Sequence, residues 1–148
     1  MKGLKFTLTR WLASAAVLLG VAVVGPLATA PAASAASGCA GTVVDSVKHY
    51  DYLTGAHVAT SYLYWDGTYN CVIANKTGSY YGVSTRMALV LMRSDAQQGD
   101  SGNFSYYAGP VSLYGKGYCV AWELDMWNTN GVNTVQDRVP AGGYFHCG

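Results

Sequence analysis

The chain has 148 residues, of which only 11% are charged, with nine Lys and Arg against eight Asp and Glu. The first 36 residues hold three of the basic groups and no acid, leaving six basic and eight acidic residues beyond them. A slightly acidic remainder without a basic cluster argues against a nucleic-acid partner, and its length suits one domain rather than two.

The amino-terminal stretch reads as an export signal. Lys2, Lys5 and Arg10 precede an apolar run of 14 residues from Trp11 to Val24, and Ala33-Ser34-Ala35 supplies a small-x-small cleavage pattern. Such a run is too short for a bilayer-spanning helix, which needs about 20 apolar residues. Residues 1–36 are therefore expected to be a signal peptide, cut after Ala35 or Ala36. That leaves 37–148 as a single secreted domain with no membrane span. Ser37-Gly38-Cys39 loosely resembles a lipid-attachment site, but it stands too far beyond the apolar run to fit that chemistry.

Short runs rich in Val, Tyr, Thr and Trp, punctuated by Gly, Asn and Asp, fill the rest of the chain, and none shows a sustained helical period. Tyr62 to Trp65, then Asp66-Gly67, then Thr68 to Ile73 predicts an antiparallel hairpin closed by a tight primed turn. Asn75 to Gly78 is the next turn. From Tyr80 to Arg93, Val83, Thr85, Met87, Leu89 and Leu91 share one face by period-two alternation. The polar stretch Ser94 to Asn103 predicts a loop. Ser105 to Tyr114 and Tyr118 to Trp127 predict two further strands, the second with Tyr118, Val120, Trp122, Leu124 and Met126 toward the core and Ala121, Glu123 and Asp125 away from it. Asn128 to Gly131 reads as a turn, Val132 to Val135 as a weak strand, and Tyr144 to Cys147 as a terminal run. The fold class is all-β, a small antiparallel sandwich or barrel of seven or eight strands.

Cys39, Cys71, Cys119 and Cys147 all lie beyond the signal, and an even count in an exported domain implies two disulfides. Four cysteines allow three pairings. We expect Cys39 with Cys71 and Cys119 with Cys147, because each link then closes a local stretch of about 30 residues and ties one end of the domain to a nearby strand. No C-x-x-C spacing suggests zinc or redox chemistry.

Few residues carry a chemical signature. Glu123 and Asp125, two apart on a strand, put their backbones about 6.6 Å apart on one face. That separation is compatible with a glycosidase carboxylate pair, although a solvated sheet face explains it more simply. His49, His57 and His146 are the only histidines. No Gly-x-Ser-x-Gly elbow marks a serine nucleophile, so no catalytic set is assigned. Asp95, Asp100 and Asn103 could offer oxygens to calcium but lack the spacing of a calcium loop, and Asp100 to Asn103 reads better as a turn. No metal or cofactor is implied. The aromatic content is the feature that stands out, with all twelve tyrosines beyond residue 36. Tyrosine suits strands in general. A minority, Tyr62, Tyr64 and Tyr106, are candidates for a ligand-facing patch that stacks on sugar rings.

Asp100 to Val111 (DSGNFSYYAGPV), Tyr114 to Trp122 (YGKGYCVAW), Tyr69 to Val72 and the final Cys147-Gly148 together resemble the spore-associated protein A family of filamentous actinomycetes. The resemblance implies a small exported protein of spores or aerial hyphae and carries no catalytic residue set with it. Two functional readings follow: a non-enzymatic surface protein, or a carbohydrate- or wall-binding module using an aromatic patch. A cell-wall or spore-surface polymer is the partner expected in either case, with a secreted inhibitor or hydrolase a distant third.

Overall fold

The computed structural model describes residues 38–148, and the expected signal segment lies outside the described residues. Eight strands follow one another: β1 Thr42–Tyr50, β2 His57–Trp65, β3 Tyr69–Lys76, β4 Thr85–Arg93, β5 Ala96–Phe104, β6 Tyr107–Tyr114, β7 Val120–Trp127 and β8 Asn133–Val139. They form two four-stranded antiparallel sheets in the orders β1-β2-β3-β6 and β5-β4-β7-β8. Among the described residues no helix is long and apolar enough to cross a membrane.

The two sheets bury one face each against the other, as period-two alternation requires. Leu63, Val72, Ala74, Val111 and Leu113 of the first sheet meet Met87, Leu89, Leu91, Trp122, Leu124 and Met126 of the second in one cluster. Both expected disulfides are present, Cys39–Cys71 and Cys119–Cys147. The first joins the segment ahead of β1 to β3, and the second joins the segment ahead of β7 to the carboxyl end. Strand direction alternates throughout, so β1, β3, β5 and β7 finish at one end of the sandwich. That end, containing Tyr50, Lys76, Phe104 and Trp127, is here the Trp127 end; the other is the cysteine end.

Three local expectations are corrected. Ala96–Phe104 is a strand, paired residue for residue with β4 from Thr85↔Phe104 to Arg93↔Ala96. Its sequence AQQGDSGNF hides this because β5 is an edge strand with most side chains in water, where polar residues discourage further pairing. Asp100 is thus no turn residue: its Oδ2 accepts the Gly109 N–H at 2.8 Å and laces β5 to β6. The strand expected from Tyr80 begins only at Thr85, because Gly78–Tyr80 forms a single 3₁₀ turn instead. The β2–β3 hairpin exists, but Trp65 pairs with Asn70 and only Gly67 takes a positive φ, of 95°. Asp66 acts through its carboxylate, which accepts the Thr68 and Tyr69 N–H groups at 2.8 and 2.7 Å and is held below the usual carboxylate range by them.

Candidate functional site

A polar chain runs through the core between the sheets. Trp122 Nε1–H donates to Ser61 Oγ at 2.9 Å, Ser61 Oγ lies 2.8 Å from His49 Nε2, and His49 Nδ1 lies 2.8 Å from Asp137 Oδ2. Ser61 has one proton to give and already accepts from the indole. The Asp137 carboxylate can only accept, so Nδ1–H donates to it, and in the neutral imidazole Nε2 then accepts from the Ser61 hydroxyl. Burial lowers the pKa of His49, outweighing the upward pull of Asp137.

The order Asp137–His49–Ser61 is that of a serine-hydrolase triad, and no sequence motif announces it. Access decides what the triad can do. Ser61, His49 and Trp122 are all 0% exposed, and the Oγ lone pair facing Trp122 is taken, so a carbonyl carbon has no approach to the hydroxyl. The chain links β1, β2, β7 and β8, and thus ties the edge strands and the central strands of the two sheets together.

The Trp127 end is built differently, with buried polar anchors beneath an aromatic rim. Lys76, the last residue of β3, is 2% exposed, and its ammonium donates to Val83 O at 2.8 Å, Thr85 Oγ1 at 2.7 Å and Phe104 O at 2.6 Å. Three acceptors for three protons is the full complement of an ammonium, and burial still lowers its pKa. Beside it, Tyr80 OH donates to Asp51 Oδ2 at 2.8 Å and meets Thr134 Oγ1 at 2.9 Å. Burial pushes the Asp51 carboxyl upward, but hydrogen bonds from Tyr80, Leu53 and Thr54 outweigh it and hold the group below its ordinary value. These anchors fix the loops at 51–56, 77–84 and 105–106.

Two adjoining clefts open over them. One, of about 320 Å³, is lined by Ser84, Thr85, Arg86, Asn103, Trp127 and the loop from Asn128 to Gly131. The other, of about 220 Å³, shares Thr85, Asn128 and Thr129 and continues to Ser79, Tyr80 and Val83. The Arg86 guanidinium lies 4.5 Å over the Trp127 ring. Asn128 holds the loop in place, its Oδ1 accepting from the N–H groups of Asn130 and Val132 at 2.9 and 3.1 Å. Exposed tyrosines stand around the same end: Tyr50 near His57, and Tyr81 edge-on to Tyr106 at 5.1 Å.

The residues singled out by sequence fall in several places. Tyr106 precedes β6 and is 52% exposed at the rim. Tyr62 and Tyr64 share the outer face of the first sheet, where Tyr64 is 9% exposed in a small cluster with Cys71, Ile73 and Cys39. The three aromatics thus do not form one patch. Glu123 and Asp125 sit side by side on the outer face of the second sheet, and both are half-buried rather than solvated. The pKa of Asp125 is raised by burial first and the charge of Glu123 second, against the pull of Asn133 and Arg86. Asp95 lies in the turn ahead of β5 while Asp100 and Asn103 lie within that strand, and among the described residues no group of three His, Cys, Asp or Glu side chains could hold a metal ion. Sequence reasoning missed the Arg86–Trp127 pair, because its members stand on β4 and β7 and meet only through sheet pairing.

Among known proteins, the chain is similar to Spore-associated protein A of Streptomyces coelicolor, 31% identical over 124 aligned residues that cover 74% of this chain and 79% of that protein. No family model matches the chain, and no solved structure does either.

Proposed function

The chain belongs to the spore-associated protein A family, and from that premise we propose that it is a secreted, non-enzymatic protein of the spore or aerial-hypha surface. Residues 1–36 supply the export signal in this reading, and 37–148 the working domain. The observation that carries the non-enzymatic half is the burial of Ser61 and His49, which seals a triad-like chain away from any substrate. Two disulfides and a dense polar and apolar core suit a domain that must persist outside the cell. An antibody raised against the domain should label intact spores and lose its signal after protease treatment of their surface. Detection in the cytoplasm of lysed cells, with none on spores or in culture fluid, would refute the proposal.

A second reading, a carbohydrate- or wall-binding module, is favoured by one feature: the adjoining clefts at the Trp127 end, where Trp127 and Tyr80 lie among hydroxyl and amide groups. Aromatic faces beside a few fixed polar groups are how proteins hold sugar rings. Co-sedimentation of the purified domain with cell-wall sacculi tests it, and a domain left wholly in the supernatant would rule it out.

A further inference from the structure

We propose that the cleft lined by Arg86 and Trp127 binds an anionic saccharide, with the guanidinium taking a carboxylate or phosphate group carried on the sugar. The inference rests on the carbohydrate-binding reading and adds to it the site and the charge of the ligand.

The state of Arg86 is the first reason. The other two arginines of the described residues are committed: Arg93 pairs with Asp95 at 2.6 Å and donates to Tyr114 O, while Arg138 donates to Pro140 O and Gly143 O. Arg86 forms neither an ion pair nor a hydrogen bond among the described residues, and it is exposed. The Trp127 ring, 4.5 Å from the guanidinium carbon, holds the Arg86 head group over the cleft wall, and its N–H donors, without a partner among the described residues, suit two-pronged recognition of an oxyanion.

The surroundings are the second reason. Ser84, Asn103 and Thr129 bring hydroxyl and amide groups to the same cleft, and the half-buried Trp127 completes its wall beside Arg86. The volume of about 320 Å³ falls within the range of small-ligand sites, and the groove continues into the neighbouring cleft through Thr85, Asn128 and Thr129. The loop is shaped in advance by Asn128, so ordering it adds little to the cost of binding. The acid that acts on Arg86 is Asp125, whose ionisation is itself disfavoured by burial and by Glu123.

Titration calorimetry on the exported chain with its disulfides intact tests the proposal, using three probes: tetragalacturonate, a phosphorylated maltotetraose, and the neutral chitotetraose. At least one anionic probe should bind more tightly than chitotetraose, and which one binds tells carboxylate from phosphate. Arg86→Gln should weaken that binding by about tenfold or more, the worth of a charge-assisted fork. Arg86→Lys should fall between, and Lys116→Gln, at the cysteine end, should change nothing. Circular dichroism melts confirm that each variant is folded. Chitotetraose binding as tightly as both anionic probes, or binding indifferent to Arg86→Gln, would overturn the inference and leave the broader sugar-binding reading intact. Binding of none of the three would remove both.

Discussion

Trp122 and Ser61 stand on central strands of opposite sheets and meet through a hydrogen bond from Nε1–H to Oγ of 2.9 Å, with both side chains wholly buried. This contact fixes how β7 lies over β2. It also sets the direction of the chain that runs on to His49 and Asp137.

Ser61→Ala should therefore destabilise the domain more than its size implies. It leaves the indole N–H and His49 Nε2 without partners, and each buried orphan costs about 1–3 kcal/mol. Trp122→Ala loses the packing as well and should cost at least about 3–5 kcal/mol. Urea denaturation would measure both, and a Ser61→Ala midpoint equal to that of the wild type would show the chain to be energetically idle.

Stability should fall as pH drops through 6.5, the ordinary value of the His49 imidazole, and below. Burial lowers its pKa in the fold from the ordinary 6.5, so the unfolded chain binds the proton first as pH drops. The full contribution is present above the unfolded value and declines as pH falls from there toward the folded one. Urea midpoints across this range should slope for the wild type and be flatter for His49→Asn, and equal slopes would place the titration elsewhere. Asp51, lowered from 3.8, acts only in a separate and more acidic window.

Asp125→Asn should raise the urea midpoint at neutral pH. A carboxyl with a raised pKa stabilises the fold fully below its unfolded value of 3.8, and that contribution is lost as pH rises through the folded value. At neutrality the charge is a burden shared with Glu123. An asparagine variant less stable than the wild type would mean that the carboxylate is satisfied by partners beyond Asn133 and Arg86.

Lys76 should resist amine-reactive labels in the native protein. Its ammonium is enclosed by three oxygens and 2% exposed, while Lys48 and Lys116 are in water. Mass spectrometry after brief acylation should find the two exposed lysines modified and Lys76 modified only in denaturant. Equal labelling in the native state would show that the Trp127 end opens readily.

The legible parts of the fold were those where one face is buried. From Val120 to Met126 the alternation assigns Trp122 to the core, and Thr85 to Leu91 does the same for β4. Two of the edge strands carry no such contrast. β5 is polar on both faces, and β1, exposed at most positions, gives no signal before Tyr62. The candidate site was less legible still. Tyr106 stands out in sequence as an aromatic residue of an expected strand, whereas Lys76 reads as an ordinary turn lysine. Its burial follows from β4 and β5 closing over the end of β3, a long-range event. The Asp137–His49–Ser61 chain spans 88 residues of sequence between its carboxylate and its imidazole, and no local pattern encodes that meeting.

The two cystines give the sandwich a polarity of display. Cys71 lies near the start of β3 and Cys119 just ahead of β7, so both clamps sit away from the Trp127 end. Gly148 rests against the Trp65 ring, with its carbonyl oxygen accepting the Gly117 N–H at 2.8 Å. A molecule held by either end of the described chain, on a bead or on a cell, therefore turns the Arg86–Trp127 groove outward, and crowding at the point of attachment leaves that groove unobstructed.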